Sequence, residues 1–349
     1  MRFGIGPLTF QRAPWDDRSF HDIYAEGVDL VQLAESVGFD SVWVAEHHFA
    51  DDGFTPSPVG VLGALAGATE RIELGTCIAL APFYEPLRLA EDLAVLDQIA
   101  GGRVTIGLGL GYREPEFTGY RIDRDSRVQR LIEAVEVCKR AWTQEEFTFE
   151  GEVYEYGPAT IRPPPAADPR PRIIVGANVP AAVRRAARIA DAYLPSRASD
   201  LDDVQEQWRI FRDAKADHEP PVGGYELPVT FYGGVADDAE TAWERIRAGY
   251  AYFDDLHANF RATSPDEWFR VDDPGDAFDE VISPDREAAL RDAAFFGSPT
   301  DLIERIERLR ERFGDELHFI FRPRHPGMEP GHVRESVRRF GEEVIPAVR

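Results

Sequence analysis

Glu46, His47 and His48 stand in a row where the apolar run "SVWVA" gives way to the Gly/Pro loop "FADDGFTPSP". Imidazoles exchange protons near neutral pH and a neighbouring carboxylate can orient them, so this row reads as a proton-handling group. If the strand continued, its side chains would alternate, and the two imidazoles would point to opposite faces. That makes them poor joint ligands for one metal ion, and a metal hydrolase is disfavoured. One histidine then serves the chemistry and the other packs or caps. Spacing leaves open which, and leaves open that both bond only to backbone.

Three further patterns carry possible chemistry. In "GLGLGY", Gly107, Gly109 and Gly111 take alternate positions and strip one face of side chains. Either a flat group presses on that backbone or tight internal packing fills the space. The spacing is not the G-x-G-x-x-G of a dinucleotide fold. In "GANVPAAVRRAAR", Gly176 and Asn178 lead to Pro180, a good first helical residue, and the free N–H groups of such a start can hold an anion. Arg184 and Arg185 assist there or are simply solvated. Arg322, Arg324 and His325 follow the last apolar run and would meet an anionic substrate or form a solvated rim. Glu114 and Glu116 sit in the loop after the glycines. The chain has no G-x-S-x-G elbow, Walker A loop or cysteine cluster.

The elements that must position these groups alternate. Apolar strands are predicted at 2–10, 40–45, 71–80, 103–111, 172–178, 191–195, 227–236 and 316–323, with helices at 23–39, 58–68, 87–100, 127–143, 180–190, 200–217, 238–253, 299–313 and 331–345. Eight strands alternating with helices give an α/β chain of the (β/α)8 TIM-barrel class, one domain over 1–349, with insertions after strands 4 and 7. The first, 144–171, contains a hairpin and a Pro-rich connector. The second, 254–298, reads as an acidic, irregular lid whose Phe and Trp residues favour an apolar guest.

Acidic residues number 63 against 39 basic, a net charge of −24, and lysine occurs only at 139 and 215. Dispersed acid excludes nucleic acid as a partner and points to a protein of high-salt surroundings. Cys77 and Cys138 lack metal spacing and read as reduced thiols. The N-terminus has no signal-peptide shape and no run is long enough to span a membrane, so a cytoplasmic location is expected.

The stretch "AEHHFADDGFTPSPVGVLGALAGATERIELGTCIALAPFYEPLRLAEDLAVLDQIAGGR" resembles the bacterial luciferase-like flavin monooxygenases, through E-H-H-F, A-T-x-R-I-x-L-G-T and P-L-R-x-A-E-x-x-x-x-L-D-Q-x-x-x-G-R. "GLGLGYREPEF", "VGANVPAAVRRAARIADAY" and "FFGSPTDLIERI" extend the likeness over about 3–195 and 295–345. The resemblance implies reduced FMN, supplied by a separate flavin reductase, acting with molecular oxygen on a small organic substrate such as an aldehyde. It implies a homodimer through the early helices. His47 would be the catalytic acid/base, with Glu46 beside it. Cys77 and Ile78 would lie behind the flavin ring, in a cis peptide bond. Gly109, Leu110 and Tyr112 would flank the ring, and Gly176, Ala177, Asn178 and Val179 would hold the phosphate. In luciferase a cysteine and an arginine stand where this chain has Gly109 and Leu110, so light emission is not implied. Related barrels use a deazaflavin coenzyme for hydride transfer, a second expectation, and a flavin-binding protein without turnover is a third.

Overall fold

The computed structural model describes residues 1–195, 200–261 and 283–349. They fall into two compact units, one of Met1–Asp40, His48–Pro56 and Thr230–Arg349, the other of Ser41–His47 and Ser57–Val229. Both follow the expected α/β plan of parallel strands alternating with helices.

The second unit holds five parallel strands in chain order, Ser41–Val44, Glu73–Thr76, Val104–Gly109, Arg172–Ala177 and Ala192–Pro195. Their residues are almost all buried, which is why these runs are apolar without alternation. The single strand expected at 71–80 is two, Glu73–Thr76 and Ala79–Leu80, with the cis peptide Cys77–Ile78 between them. Both pieces pair with Val104–Gly109, Leu74 and Gly75 with Val104 and Thr105, Ala79 and Leu80 with Leu108 and Gly109. The helices Pro58–Ala68, Pro86–Ala100, Arg127–Thr143, Pro180–Ile189 and Leu201–Lys215 match expectation within two residues. Glu85 caps the second of these, and Gly101 ends it at φ +64°. The expected hairpin is present as antiparallel Phe147–Glu150 and Glu155–Ala159. Its turn rests on Glu133, whose carboxylate accepts from the backbone N–H groups of Glu152 (2.7 Å), Val153 (3.1 Å) and Tyr154 (2.9 Å). Where the strands begin, Arg170 clamps buried Asp191 through two bonds of 2.7 and 2.9 Å. Burial alone would raise the Asp191 carboxyl; the Arg170 bonds and charge outweigh it and leave it lowered.

In the first unit, Arg2–Leu8 pairs in parallel with Leu317–Arg322, and Gly233–Val235 with Phe295–Gly297. An aromatic core joins them: Phe231 stacks on Phe319 and Phe321 on Phe340, each at 4.4 Å. The helices Phe20–Ser36 and Pro299–Phe313 both start in capping boxes, Ser19 with Asp22 and Ser298 with Asp301. One expectation is corrected here. The irregular lid at 254–298 is regular at both ends: Ala239–Arg261 is one long helix, and Pro284–Ala293 and Phe295–Gly297 are helix and strand. Residues 262–282 of that lid lie outside the described residues. Acidic residues obscured the helices in a pattern search, since Asp and Glu are tolerated on any solvated helix face.

His325 follows the strand Leu317–Arg322 and is wholly buried, its ring 5.3 Å from Tyr250 and 6.4 Å from Tyr232. Burial, with the Arg322 and Arg324 charges beside it, holds its imidazole well below the ordinary value. The folded chain therefore refuses a proton that the unfolded chain accepts below about pH 6.5. Stability from this residue is full above that pH and falls as the pH drops below it. Denaturant titrations at pH 7.5 and 5 test this, and His325→Phe is expected to flatten that part of the slope. Salt gives a second test. Screening weakens the self-repulsion of a −24 chain. The melting temperature is expected to rise between 0.1 and 1 M NaCl, and a fall would show that attractive ion pairs dominate.

Candidate active site

The strand Ser41–Val44 ends two residues before Glu46, so neither Glu46 nor His47 is in a strand and alternation does not set their directions. Hydrogen bonds set them instead. The Nδ1 of His47 lies 2.8 Å from Oε1 of Glu116, and both side chains are buried. Arg113, also buried, places its Nη1 3.4 Å from the same oxygen. On the other side of the ring, the Tyr112 hydroxyl is 3.4 Å from Nε2, and the two rings meet edge to face at 5.4 Å. A carboxylate facing Nδ1 favours the proton there and presents Nε2 toward the phenol.

Glu116 lies on a short helix, Glu114–Tyr120, where sequence reading gave only a loop. Seven residues with Pro115 and Gly119 inside carry too little periodicity to announce a helix. The available signal was chemical: a Glu beside the Gly-rich strand end, with nothing to say that it would be fully buried.

Glu46 turns away to a different task. Its Oε2 accepts from the backbone N–H of Leu80 (2.8 Å) and from the Tyr84 hydroxyl (3.0 Å). Burial and the Glu46 carboxylate both push the Tyr84 phenol well above its ordinary value, so it remains a donor. Glu46 thus ties the strand end to the segment that follows Cys77–Ile78. His48 belongs to the other unit, buried, with its ring 6.0 Å from that of Phe49.

The glycines resolve toward packing. A Cβ on Gly107 would strike the carbonyl of Thr76. One on Gly109 would lie 2.9 Å from Ile78 Cγ2, and one on Gly176 2.8 Å from Ile78 Cδ1. Two neighbouring strands are therefore emptied to seat one side chain, that of Ile78. Leu110 and Tyr112 follow, half-buried, and Cys77 beside the seat is a buried thiol outside any disulfide. Gly111 has φ +68°, a turn that L side chains rarely adopt.

The helix Pro180–Ile189 starts without a side-chain cap, because its N-cap residue is Val179. Asn178, Val179, Pro180 and Ala181 are exposed, and Ala177 is buried behind them. Arg185 is half-buried in the second turn, while Arg184 points to solvent. All these groups lie in one unit, at or beyond the carboxyl ends of its parallel strands, where barrels of this class place chemistry. Among the described residues no cluster of His, Cys, Asp and Glu could hold a metal ion, and no helix is long and apolar enough to cross a membrane. In the other unit, Arg322 is buried over the Phe253 ring at 3.6 Å, and Arg324 is buried too. The rim expected to be solvated there is interior.

A family model described as luciferase-like monooxygenase matches residues 1–316. An F420-dependent glucose-6-phosphate dehydrogenase of Microbacterium testaceum is 32% identical over 339 residues, 93% of each chain. The oxygenase component of a flavin-dependent trigonelline monooxygenase of Acinetobacter baylyi is 26% identical over 356 residues, 99% of this chain and 95% of that one. Among solved structures, the monooxygenase RslO1 of Streptomyces bottropensis superposes with a TM-score of 0.85 at 28% identity, covering all of both chains.

The Ile78 seat gives a direct test. Gly109→Val and Gly176→Val are each expected to cost about 1–3 kcal/mol through overpacking. Gly63→Ala, whose Cβ meets nothing within 4 Å on the helix Pro58–Ala68, is expected to stabilise by about 0.5–1 kcal/mol. Equal effects at the three sites in chemical denaturation would remove the special status of the seat.

Proposed function

We propose that this chain, which belongs to the luciferase-like monooxygenase family, is an oxidoreductase that uses reduced FMN and molecular oxygen on a small, apolar organic substrate such as an aldehyde. The observation that carries the reading is the buried His47–Glu116 pair, 2.8 Å apart, beside the Ile78 seat. A buried imidazole with a fixed orientation can hold and release a proton in a site from which water is excluded.

The residues fit a flavin. The uncapped helix start offers free N–H groups and an exposed approach at Asn178 and Val179, as an anionic phosphate requires. Ile78, braced from behind by Gly109 and Gly176, supplies a fixed apolar surface for a planar ring, with Leu110 and Tyr112 at its edge and Gly176 and Ala177 leading to the phosphate. Cys77 adjoins that surface. When bound, reduced FMN would supply the electrons that activate oxygen. Within this division of labour Glu46 is a positioning residue, holding Leu80 and hence the Ile78 segment. A flavin reductase would deliver the reduced cofactor. Val95 and Ile99, exposed on the helix Pro86–Ala100, support a homodimer through the early helices.

A second reading is favoured by a specific observation. The 32% identity over 93% of the chain is to an F420-dependent dehydrogenase, and a deazaflavin would use the same His47 for hydride-transfer chemistry. Titration of the protein with oxidised FMN, reduced FMN and the deazaflavin coenzyme separates the two. Selective tightening for reduced FMN is expected. Selective binding of the deazaflavin would transfer the assignment to a dehydrogenase, and failure of all three would end both readings. Glu46→Gln is expected to weaken cofactor binding by about tenfold or more, since a carboxamide is a poorer acceptor for two donors and about 1.4 kcal/mol is a factor of ten.

A further inference from the structure

We propose that Tyr112 makes the acid/base contact with substrate, and that His47 and Glu116 act through it as a relay. This rests on the oxidoreductase reading above but on neither choice of cofactor. The observation is a gradient of burial along three hydrogen-bonded groups. Glu116 is fully buried, His47 shows 7% of its side chain, and Tyr112 is half-buried. The contacts run in the same order, Glu116 Oε1 to His47 Nδ1 at 2.8 Å and His47 Nε2 to Tyr112 Oη at 3.4 Å. A ring flanked by a carboxylate on one nitrogen and a phenol on the other is arranged to pass protons along its length. The longer contact is of the kind that shortens when a ligand completes a site.

The proton balance closes without any further reagent. With His47 doubly protonated, the phenolic O–H bond of Tyr112 breaks as an O–H bond forms on a substrate oxygen. The Nε2 proton of His47 then moves to the phenolate oxygen, leaving its electron pair on Nε2. The Nδ1 proton stays on the ring, facing the Glu116 carboxylate. A phenolate is ordinarily a stronger base than an imidazole, so it recovers the proton. Reversal gives base catalysis, with Tyr112 taking the proton from a substrate hydroxyl and Nε2 receiving the phenol's. Arg113 places its Nη1 3.4 Å from the same Glu116 oxygen and so adds a charged donor to the inner end of the relay.

Two measurements test the relay. The first uses the unloaded protein with 15N-labelled histidine, the His47 signals being assigned by their loss in His47→Gln. Tyr112→Phe is expected to shift the Nε2 resonance and Glu116→Gln the Nδ1 resonance; signals unmoved by either change would overturn the relay. The second follows reoxidation of protein-bound reduced FMN by dissolved oxygen in wild type, Tyr112→Phe, His47→Gln and the double variant. Melting temperatures and FMN affinities serve as folding checks. Each single change is expected to slow the reaction at least tenfold, and the double to be no more than about twofold slower than the slower single, since groups in series share one loss. A Tyr112→Phe variant within twofold of wild type, or losses that multiply, would mean that His47 acts directly. If only the deazaflavin binds, the same four proteins are assayed for its reduction by 2-propanol and by glucose 6-phosphate. A wild type that binds neither cofactor sinks the functional reading, and the resonance shifts still decide the relay.

Discussion

A buried carboxylate must be surrounded by donors, and in a chain with 63 acidic residues this constraint shapes the interior. The two buried acids at the site, Glu46 and Glu116, each organise a different set of groups at the carboxyl ends of the strands. Glu46 gathers Leu80 and Tyr84; Glu116 gathers His47 and Arg113. At the opposite ends Asp191 gathers Arg170 and the Ile173 N–H, and beside the hairpin Glu133 gathers three consecutive N–H groups. None of these is a surface ion pair of the kind that contributes little. Each is a junction whose loss would leave an unsatisfied charge inside the fold.

The site inherits its rigidity from two such junctions. Glu46 and Glu116 come from different elements, one beyond the strand Ser41–Val44 and one on the helix Glu114–Tyr120. Glu46 fixes the segment bearing Ile78, and Glu116 fixes the ring of His47. The glycines complete the first of these, because Ile78 can sit where it does only if positions 109 and 176 carry no Cβ. A steric vacancy and a buried charge, two unrelated physical devices, thus position the apolar and the proton-carrying halves of one site.

The sequence carried the α/β plan well, since buried parallel strands are continuous apolar runs and the helices between them have strong stops such as Gly101. It carried His47 through its neighbours, and Pro180 as a helix start. It did not carry Glu116, because a contact over 69 positions has no local signature and the short helix that presents it has no period. The glycines were seen and their two possible uses weighed, but only geometry reveals that Ile78 fills the space. Break points also escaped notice. The run at 71–80 is apolar throughout, yet its backbone leaves the sheet at Cys77 and returns at Ala79.

The division between cofactor and protein explains why relatives of both chemistries align along nearly the whole chain. An electron-carrying ring needs an apolar support, an anchor for its phosphate and a nearby proton store, whether the electrons leave toward oxygen or as hydride. In the proposed reading Ile78, the helix start at Pro180 and the His47–Glu116 pair would answer these three needs whichever way the electrons leave. Selection between the two chemistries must then act on what meets the exposed edge of the ring. Under the relay proposed above, Tyr112 would be the member of the proton chain that meets the substrate. Its phenol, half-buried beside His47, would suit a reacting oxygen in either case, because it would change charge only while a proton is in transit.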